Sequence, residues 1–253
     1  MDLVVFVKAI PDPNGDAPLG DDFLVERGGE GTLDPGDEYA VEAALQLAET
    51  SGGEVTAISM GPAGAVSAVR RALSMGVHRA VIVTDDALRG ADALATARVL
   101  AAAAARGSSD LILAGVESTD GYTGTVPITV AELLDLPAVT FARKVDVVDR
   151  TLRVERQSED GYDVVTAPLP AVVTVTAGAT EPRYPTLKGI MGAKQKPLET
   201  LSLADLGLGA TDVASVQRVT AVEHAPQKAA GEVIGADGAA ARIADLLVDA
   251  KVL

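Results

Sequence analysis

Short apolar runs alternate with stretches of helical periodicity over the first 115 residues. The runs are rich in Val, Ile and Leu and lack alternating polar positions, which is typical of strands buried on both faces of a sheet. The predicted strands occupy residues 3–7, 54–60, 79–85 and 110–115. The predicted helices occupy residues 37–50, 62–75 and 91–106. This alternation predicts an α/β fold with a mostly parallel twisted sheet flanked by helices.

The pattern changes after Pro137, where shorter β-like runs are separated by turn signals such as the segment SEDG. These runs occupy residues 138–148, 151–157, 162–167 and 170–176. They predict an antiparallel β addition beside the parallel sheet.

The C-terminal part of the chain is less regular. Residues 181–197 and 201–230 show no clear period, and a short amphipathic helix is predicted at residues 236–249. We therefore predict a core with its antiparallel addition at residues 1–182, and an extended C-terminal arm at residues 183–253 of the same structural unit.

Composition and charge exclude several classes of function. Of the 253 residues, 36 are acidic and 21 are basic, and the formal net charge of −15 disfavours binding to nucleic acid or to an anionic membrane surface. No apolar stretch reaches the ~18–20 residues that a membrane span needs, and the N-terminal run does not resemble a signal peptide. We expect a cytoplasmic protein without membrane insertion.

The sequence offers no catalytic or metal-binding set. It contains no Cys, and carboxylates do not cluster around its two histidines, His78 and His224. The carboxylates of residues 154–165 lack a partner base or nucleophile and fit a solvated turn better. Ser59 and Ser118 lie in no GxSxG motif. We expect no catalytic residue and no metal site.

The carboxyl ends of the predicted parallel strands mark the expected binding site. Ligands of such sheets lie beyond these ends, where the strand order reverses. Four segments should converge there: residues 6–9, the loop before Asp37, residues 59–62 and residues 115–125.

The last of these segments belongs to the loop GVESTDGYTGTVP, residues 115–127. Backbone N–H groups at a helix N-terminus, together with hydroxyls, hold phosphate without a lysine. Gly121 and Gly124 allow close backbone approach, and Glu117 and Asp120 would repel a phosphate unless they point away from it. The hydroxyls come from Ser118, Thr119, Thr123 and Thr125. The segment is either a phosphate-binding loop or an ordinary loop rich in Ser, Thr and Gly.

Residues 183–199 concentrate positive charge in an otherwise acidic chain. The basic residues are Arg183, Lys188, Lys194 and Lys196, and the apolar residues among them are Leu187, Ile190 and Met191. The segment is either a solvated loop or a docking element, in which apolar side chains anchor in a partner while the cations steer the encounter. Its prolines favour docking because they limit the entropy lost when the loop is fixed.

Residues 154–197, VERQSEDGYDVVTAPLPAVVTVTAGATEPRYPTLKGIMGAKQKP, resemble the signature region of the beta (small) subunit of electron-transfer flavoproteins. The segments VVFVKAIPD, LDPGDEYAVEAALQL, LILAGVESTDG and APQKAAGE resemble other regions of this family in the same order. The resemblance covers nearly the whole chain and is weakest at residues 12–33 and 202–222.

This resemblance implies a heterodimer that carries electrons. In the family, the alpha subunit makes most of the contacts to a redox-active FAD, and the beta subunit buries one AMP as a structural ligand in a fold of adenine-nucleotide-binding type. Electrons pass from acyl-CoA and related dehydrogenases, as in fatty acid β-oxidation, to a membrane quinone oxidoreductase. A subset that bifurcates electrons has a second FAD in the AMP position.

Two alternatives stay open beside this resemblance. One is a free-standing adenine-nucleotide-binding regulator or hydrolase, which ATP turnover by the isolated chain would reveal. The other is a scaffold with an empty pocket.

The resemblance also implies which residues bind. Its nucleotide contacts fall on Phe6, Asp34, Pro35, Gly36, Asp37, Met60, Asp120, Gly121, Tyr122, Thr123, Gly124, Thr125, Val126, Pro127, Ile128, Thr129, Val130 and Ala131. Its partner contacts fall on Arg183, Leu187, Ile190, Met191, Lys194 and Lys196, with Leu187 as the anchor.

The chain departs from the family pattern at several positions. Asp34 stands where relatives often have Asn, and Thr125 stands where the phosphate loop often has Gln. Gln157 replaces a Glu that helps to gate the FAD domain, which leaves at most a neutral hydrogen bond there. The basic cluster is thinner, with Gly192 and Gln195 at positions that can be Lys.

Overall fold

A mixed sheet, nine-stranded over the described residues, forms the centre of the fold. The computed structural model describes residues 1–15, 19–27, 29–223, 231 and 233–252. The strands are β1 (Leu3–Phe6), β2 (Ala9–Ile10), β3 (Thr32–Leu33), β4 (Val55–Met60), β5 (Arg79–Val83), β6 (Leu111–Gly115), β7 (Ala138–Val148), β8 (Thr151–Ser158), β9 (Gly161–Pro168), β10 (Ala171–Val175) and β11 (Leu198–Leu201). The helices are α1 (Pro35–Ser51), α2 (Val66–Met75), α3 (Ala93–Ala104), α4 (Val126–Leu133), α5 (Leu187–Ala193) and α6 (Ala239–Asp249).

Most of this sheet is parallel, which confirms the predicted α/β class. Neighbouring strands run parallel in the order β11-β5-β4-β1-β6-β10-β7, and β8 and β9 extend the sheet antiparallel beyond β7. The small strands β2 and β3 pair antiparallel in a second sheet. The chain passes from β1 to β4 and β5 on one side and then crosses to β6 on the other side of β1. The strand order therefore reverses between β1 and β6, and ligands of such sheets bind beyond the carboxyl ends at this reversal, a position that we call the crevice.

The four runs after Pro137 all form strands, but the last one lies elsewhere than predicted. β10 pairs in parallel with both β6 and β7, so it belongs to the parallel sheet and not to the antiparallel addition. All its residues, AVVTV, are buried. A run that is apolar on both faces is best accommodated inside a sheet that helices cover on both sides, which explains its place between two neighbours.

Helices cover both faces of the parallel sheet. On one face, α1 and α2 pack against a cluster that includes Leu3, Val5 and Val55. On the other face, α3 and α4 pack against a cluster that includes Val4 and Ile112. Many of the helical residues in both clusters are Ala, so a chain with 3% aromatic residues fills its core by bringing helices close to the sheet.

Residues 220–253 form a unit of their own, separate from the unit of residues 1–219. Its helix α6 confirms the predicted amphipathic helix and has exposed Ile243, Leu246 and Val248 side chains. His224 and most of the APQKAAGE segment lie outside the described residues. In the described ranges, every helix is too short or too polar to cross a membrane.

Candidate functional site

Lys8 joins the carboxyl ends of β1 and β6. Its backbone N–H donates to Asp37 Oδ2 at 2.7 Å, its C=O accepts from the Asp34 N–H at 3.0 Å, and its Nζ donates to Ser118 Oγ at 3.0 Å. β4 pairs in parallel with β1, which brings residues 59–62 to the same edge. The four segments predicted to converge therefore meet in the structure.

Asp34 ties the N-terminus of α1 to the loop after β6. Its side chain is fully buried. Oδ1 accepts from the Gly36 N–H at 2.8 Å as the N-cap of α1, and Pro35 occupies the first helical turn. Oδ2 accepts from both the N–H (2.7 Å) and the hydroxyl (2.9 Å) of Thr119. Both oxygens act as acceptors, which explains the carboxylate here, because an Asn amide has a single acceptor oxygen.

Asp37 is a buried carboxyl one helical turn further along. Burial, and then the nearby charge of Asp34, raise the pKa of Asp37 to about 8. Its hydrogen bond from the Lys8 N–H acts in the opposite direction and is too weak to reverse this. Asp37 is therefore largely neutral at pH 7, so it adds little repulsion toward an anion held nearby.

This raised pKa predicts a loss of stability as the pH rises. The folded protein keeps a proton on Asp37 that the unfolded chain, with a pKa of 3.8, releases. The contribution of Asp37 is therefore fully present below about pH 4 and is lost between about pH 4 and pH 8, by up to about 1.4 kcal/mol per pH unit. Urea denaturation of wild type and Asp37→Asn at pH 5.5 and 7.5 checks this, since the variant should lose less stability over that interval. Equal losses in both proteins would contradict it.

Asp120 is held by two cations. Its side chain is 5% exposed, its Oδ1 accepts from Lys8 Nζ at 2.7 Å, and its Oδ2 pairs with the Arg27 guanidinium. Burial alone would raise the pKa of Asp120, but the bonds and charges of Lys8 and then Arg27 lower it, so Asp120 is ionised. The predicted repulsion between Asp120 and a phosphate is thus offset by Lys8 and Arg27. With the charge of Asp34, which lies beside the Lys8 backbone, the four groups sum to zero.

Neither Lys8 nor Arg27 was predicted from the sequence as a site residue. Lys8 lies inside residues 6–9, a segment predicted to converge, so its position was available from the sequence. Arg27 lies in the long loop between β2 and β3, and nothing local to it points to Asp120, 93 residues away.

The loop after β6 has the backbone geometry of a tight turn that enters α4. Tyr122 and Gly124 adopt positive φ angles of 48° and 61°, and Tyr122 is exposed. α4 begins at Val126 without a side-chain cap among the described residues, and Pro127 lies in its first turn. The first N–H groups of a helix have no intrahelical partner. In α4 these are the N–H groups of Val126 and Ile128, because Pro127 has no N–H.

The predicted nucleotide contacts do not all face the same way. Val130 and Ala131 are buried in the core, and Phe6 and Met60 belong to the same core cluster on the α3 side of the sheet. Asp34 and the remaining loop residues lie on the α1 side or at the edge. A ligand that touched both groups would lie across the strand ends.

Ser59 adds an observation that the sequence did not supply. It lies near the carboxyl end of β4 and is fully buried, and its Oγ has no hydrogen-bond partner among the described atoms. Buried hydroxyls are nearly always paired, so this atom is an exception, but protein atoms already enclose it and it is not exposed to a ligand.

The predicted docking segment contains α5, whose apolar side chains are exposed. The relative exposure is 74% for Leu187, 51% for Ile190 and 68% for Met191. Thr186 caps the helix by accepting from the Gly189 N–H at 3.0 Å. These side chains form one apolar surface, which we call the α5 tip, and Lys194 is exposed beside it.

Arg183 and Lys196 were predicted as partner contacts, but their charged groups form hydrogen bonds within this chain. The Arg183 guanidinium donates two hydrogen bonds to Glu42, from Nε at 2.7 Å and NH2 at 2.9 Å, and two to Glu49, from NH1 at 2.5 Å and NH2 at 3.3 Å. Lys196 Nζ donates to the C=O groups of Leu73 and Val77 at the end of α2, at 2.9 and 2.6 Å. Burial lowers the pKa of Lys196. Of the four basic residues in this segment, Lys188 and Lys194 therefore remain as cations beside the α5 tip.

Nothing in the described ranges gathers three or more His, Cys, Asp or Glu residues in a way that could hold a metal ion.

Gln157 lies on β8 opposite Tyr162 on β9, on the exposed side of the antiparallel extension.

Comparison with known proteins gives one consistent result. A family model described as "Electron transfer flavoprotein domain" matches residues 22–206. A protein of Mycobacterium tuberculosis named "Electron transfer flavoprotein subunit beta" is 38% identical, with 99% of each chain covered. A Bacillus subtilis protein of the same name is 36% identical, with 92% of this chain and 91% of the relative covered. "Caffeyl-CoA reductase-Etf complex subunit CarD" of Acetobacterium woodii is 35% identical, with 92% of each covered.

Proposed function

Because this chain belongs to the electron transfer flavoprotein family as a beta subunit, we propose that it is the AMP-binding half of a heterodimeric electron carrier in the cytoplasm. The family is associated with flavin, and the subunit name implies a partner chain. We assign FAD to that partner, the alpha subunit. FAD supplies the redox chemistry when bound. The residues of this chain bind the nucleotide and dock the partner proteins.

The observation that carries the nucleotide assignment is the meeting of Lys8, Asp34 and Thr119 at the switch in strand order. Two kinds of group there suit a nucleotide monophosphate: the N–H groups of Val126 and Ile128 in the first turn of α4, and the Lys8 and Arg27 cations, which offset the charges of Asp120 and Asp34. Gly36 and Gly115 let the start of α1 pack closely against the end of β6, since a Cβ on Gly115 would lie 2.8 Å from Asp37 Oδ1. These features fit AMP better than an empty scaffold.

The AMP is structural in this proposal. It would bridge loops that follow β1, β4 and β6, which are otherwise joined by a few hydrogen bonds. A ligand that binds only the folded state stabilises it in proportion to its affinity. Among the residues that the structure describes, none at the site pairs a nucleophile with a general base, so we assign no reaction to this chain.

We assign the α5 tip to the docking of electron donors, the acyl-CoA and related dehydrogenases, and we assign a membrane quinone oxidoreductase as the acceptor. Leu187, Ile190 and Met191 are exposed on one short helix, and exposed apolar clusters of this kind mark interaction sites. Lys188 and Lys194 lie on the same element and would assist the encounter with an acidic surface.

Leu187→Ala tests this docking role. We expect the second-order rate of flavin reduction by an acyl-CoA dehydrogenase to fall roughly tenfold, because the variant removes the most exposed anchor side chain of the tip. Stopped-flow absorbance of the purified heterodimer gives the rate, and its flavin content should not change. Val148→Ala is the matched control, since Val148 is 62% exposed but lies at the β7–β8 turn. A wild-type rate in Leu187→Ala would remove the docking role.

A second candidate function is favoured by one relative. CarD is named as a subunit of a caffeyl-CoA reductase–Etf complex, so chains of this kind also occur in reductase complexes. In that case a second FAD would occupy the crevice in place of AMP. The nucleotide content of the heterodimer separates the two candidates.

A further inference from the structure

The described residues 19–27 run over the carboxyl edge of the sheet and contact the loop that follows β5. The Arg89 guanidinium pairs with Asp22 and lies 3.6 Å from Glu26 Oε1. The Leu24 side chain rests on Gly90, where a Cβ would lie 2.9 Å from Leu24 Cδ1. One end of the segment is therefore attached beside β5.

The other end is attached beside β1 and β6. Arg27 NH1 donates to the C=O of Ala9 at 3.1 Å, and NH2 pairs with Asp120. Beyond it, the Ser67 hydroxyl donates to the C=O of Gly31 at 2.5 Å, which attaches the chain to the start of α2 after β4. Residues 19–27 thus contact β2, which follows β1, and the loops after β5 and β6, while Gly31 contacts the start of α2, which follows β4.

The segment has internal structure of its own. Gly20 N–H donates to Leu24 O at 2.9 Å, Phe23 N–H donates to Gly20 O at 3.0 Å, and Leu19 pairs with Val25. The segment is nevertheless poorly buried, because its residues are exposed or half-buried. Its attachments are mainly charged pairs and hydrogen bonds, so it can detach without opening the core.

We infer that residues 19–27 form a strap that retains the nucleotide, and that the pair Arg27–Asp120 is its latch. This inference rests on the proposed function for the identity of the ligand. A ligand beneath the strap leaves only after the Arg27–Asp120 pair separates, so this pair sets the rate of nucleotide exchange. Arg27 is a positioning residue in this account: it holds the strap, and Lys8 keeps Asp120 charged when Arg27 is removed.

Exchange of bound AMP measures the latch directly. The heterodimer is loaded with isotope-labelled AMP and diluted into unlabelled AMP, and the release of label is followed. We expect Arg27→Gln to release label about tenfold faster, because one charge-assisted pair is lost, and Arg27→Lys to restore part of the retention. Arg150→Gln, which breaks the exposed pair with Asp110, is the control and should exchange at the wild-type rate. Equal rates in Arg27→Gln and wild type would overturn the inference.

A second measurement does not depend on AMP. The chain has no Cys, so Leu24→Cys introduces a single thiol on the strap itself, half-buried against Gly90. Labelling with N-ethylmaleimide, read from the mass of this chain in the heterodimer, should be slow alone and about tenfold faster when combined with Arg27→Gln. Equal labelling rates in the single and the combined variant would overturn the proposal that residues 19–27 form a strap, even if AMP is bound. Faster labelling in a heterodimer without adenylate would support the strap and refute the nucleotide assignment instead.

Discussion

Replacement of Asp34 by alanine should lower the free energy of unfolding by about 2–4 kcal/mol and release the bound nucleotide. The variant loses the N-cap of α1, and it leaves the N–H and the hydroxyl of Thr119 without their acceptor in a buried position. Since Asp34 is the direct link between α1 and the loop after β6, that loop loses its fixed position at the crevice. Urea denaturation and the adenylate content of the purified heterodimer measure the two effects.

Two control variants separate capping from the role at the site. Asp34→Asn keeps the shape but has one acceptor oxygen, so its loss of stability should lie between wild type and Asp34→Ala. Asp92→Ala removes a carboxylate that caps α3 through Ala95 N at 2.8 Å and lies outside the loops that follow β1 and β6. It should destabilise the protein but keep the nucleotide. Loss of nucleotide in Asp92→Ala to the same degree as in Asp34→Ala would contradict the specific role of Asp34.

Arg183→Ala should also destabilise the protein strongly, by about 2–4 kcal/mol. Glu42 is 3% exposed, and Arg183 is its charged partner, with hydrogen bonds at 2.7 and 2.9 Å. Burial alone would raise the pKa of Glu42, but its bonds to Arg183 lower it, so the carboxylate is ionised and would be left buried without its cation. Thermal and urea denaturation measure the change. The segment that leads to α5 would also lose its main attachment to α1, so reduction of the flavin by a dehydrogenase should slow.

Two comparisons test this explanation of Arg183. Arg106→Ala removes an exposed pair with Glu199 at 3.0 Å and should cost less than about 1 kcal/mol. Glu42→Gln combined with Arg183→Ala removes the buried charge and should recover part of the stability. If Arg183→Ala behaves like Arg106→Ala, Arg183 is a surface residue free to contact a partner, as the sequence alone suggested.

The parallel half of the fold could be predicted from the sequence because its strands are buried on both faces. Runs such as LVVFV and DLILAG are apolar without alternation, and strand and helix periods alternate around them. β10 was placed in the wrong part of the sheet because its neighbour in sequence is antiparallel, and strand pairing depends on contacts distant in sequence. α5 was missed because two of its seven residues are Gly, which lowers helix propensity.

The sequence predicted which segments converge at the candidate site, but it did not predict the charge of the site. The loop after β6 contains no Lys, and its carboxylates looked unfavourable for a phosphate. Lys8 and Arg27 offset Asp120, yet they come from two other loops. The reverse holds at residues 183–196, where counting cations overestimated the exposed charge because Arg183 and Lys196 are bound inside the chain. Charge counts along a sequence do not show which partner each charge meets.

The nucleotide content of the purified heterodimer tests the central claim most directly. The heterodimer is denatured, and the released nucleotides are separated and quantified against protein. The account predicts AMP and FAD in near-equal amounts, about one of each per heterodimer. FAD without AMP, whether at one or at two per heterodimer, would contradict the assignment of the crevice to AMP.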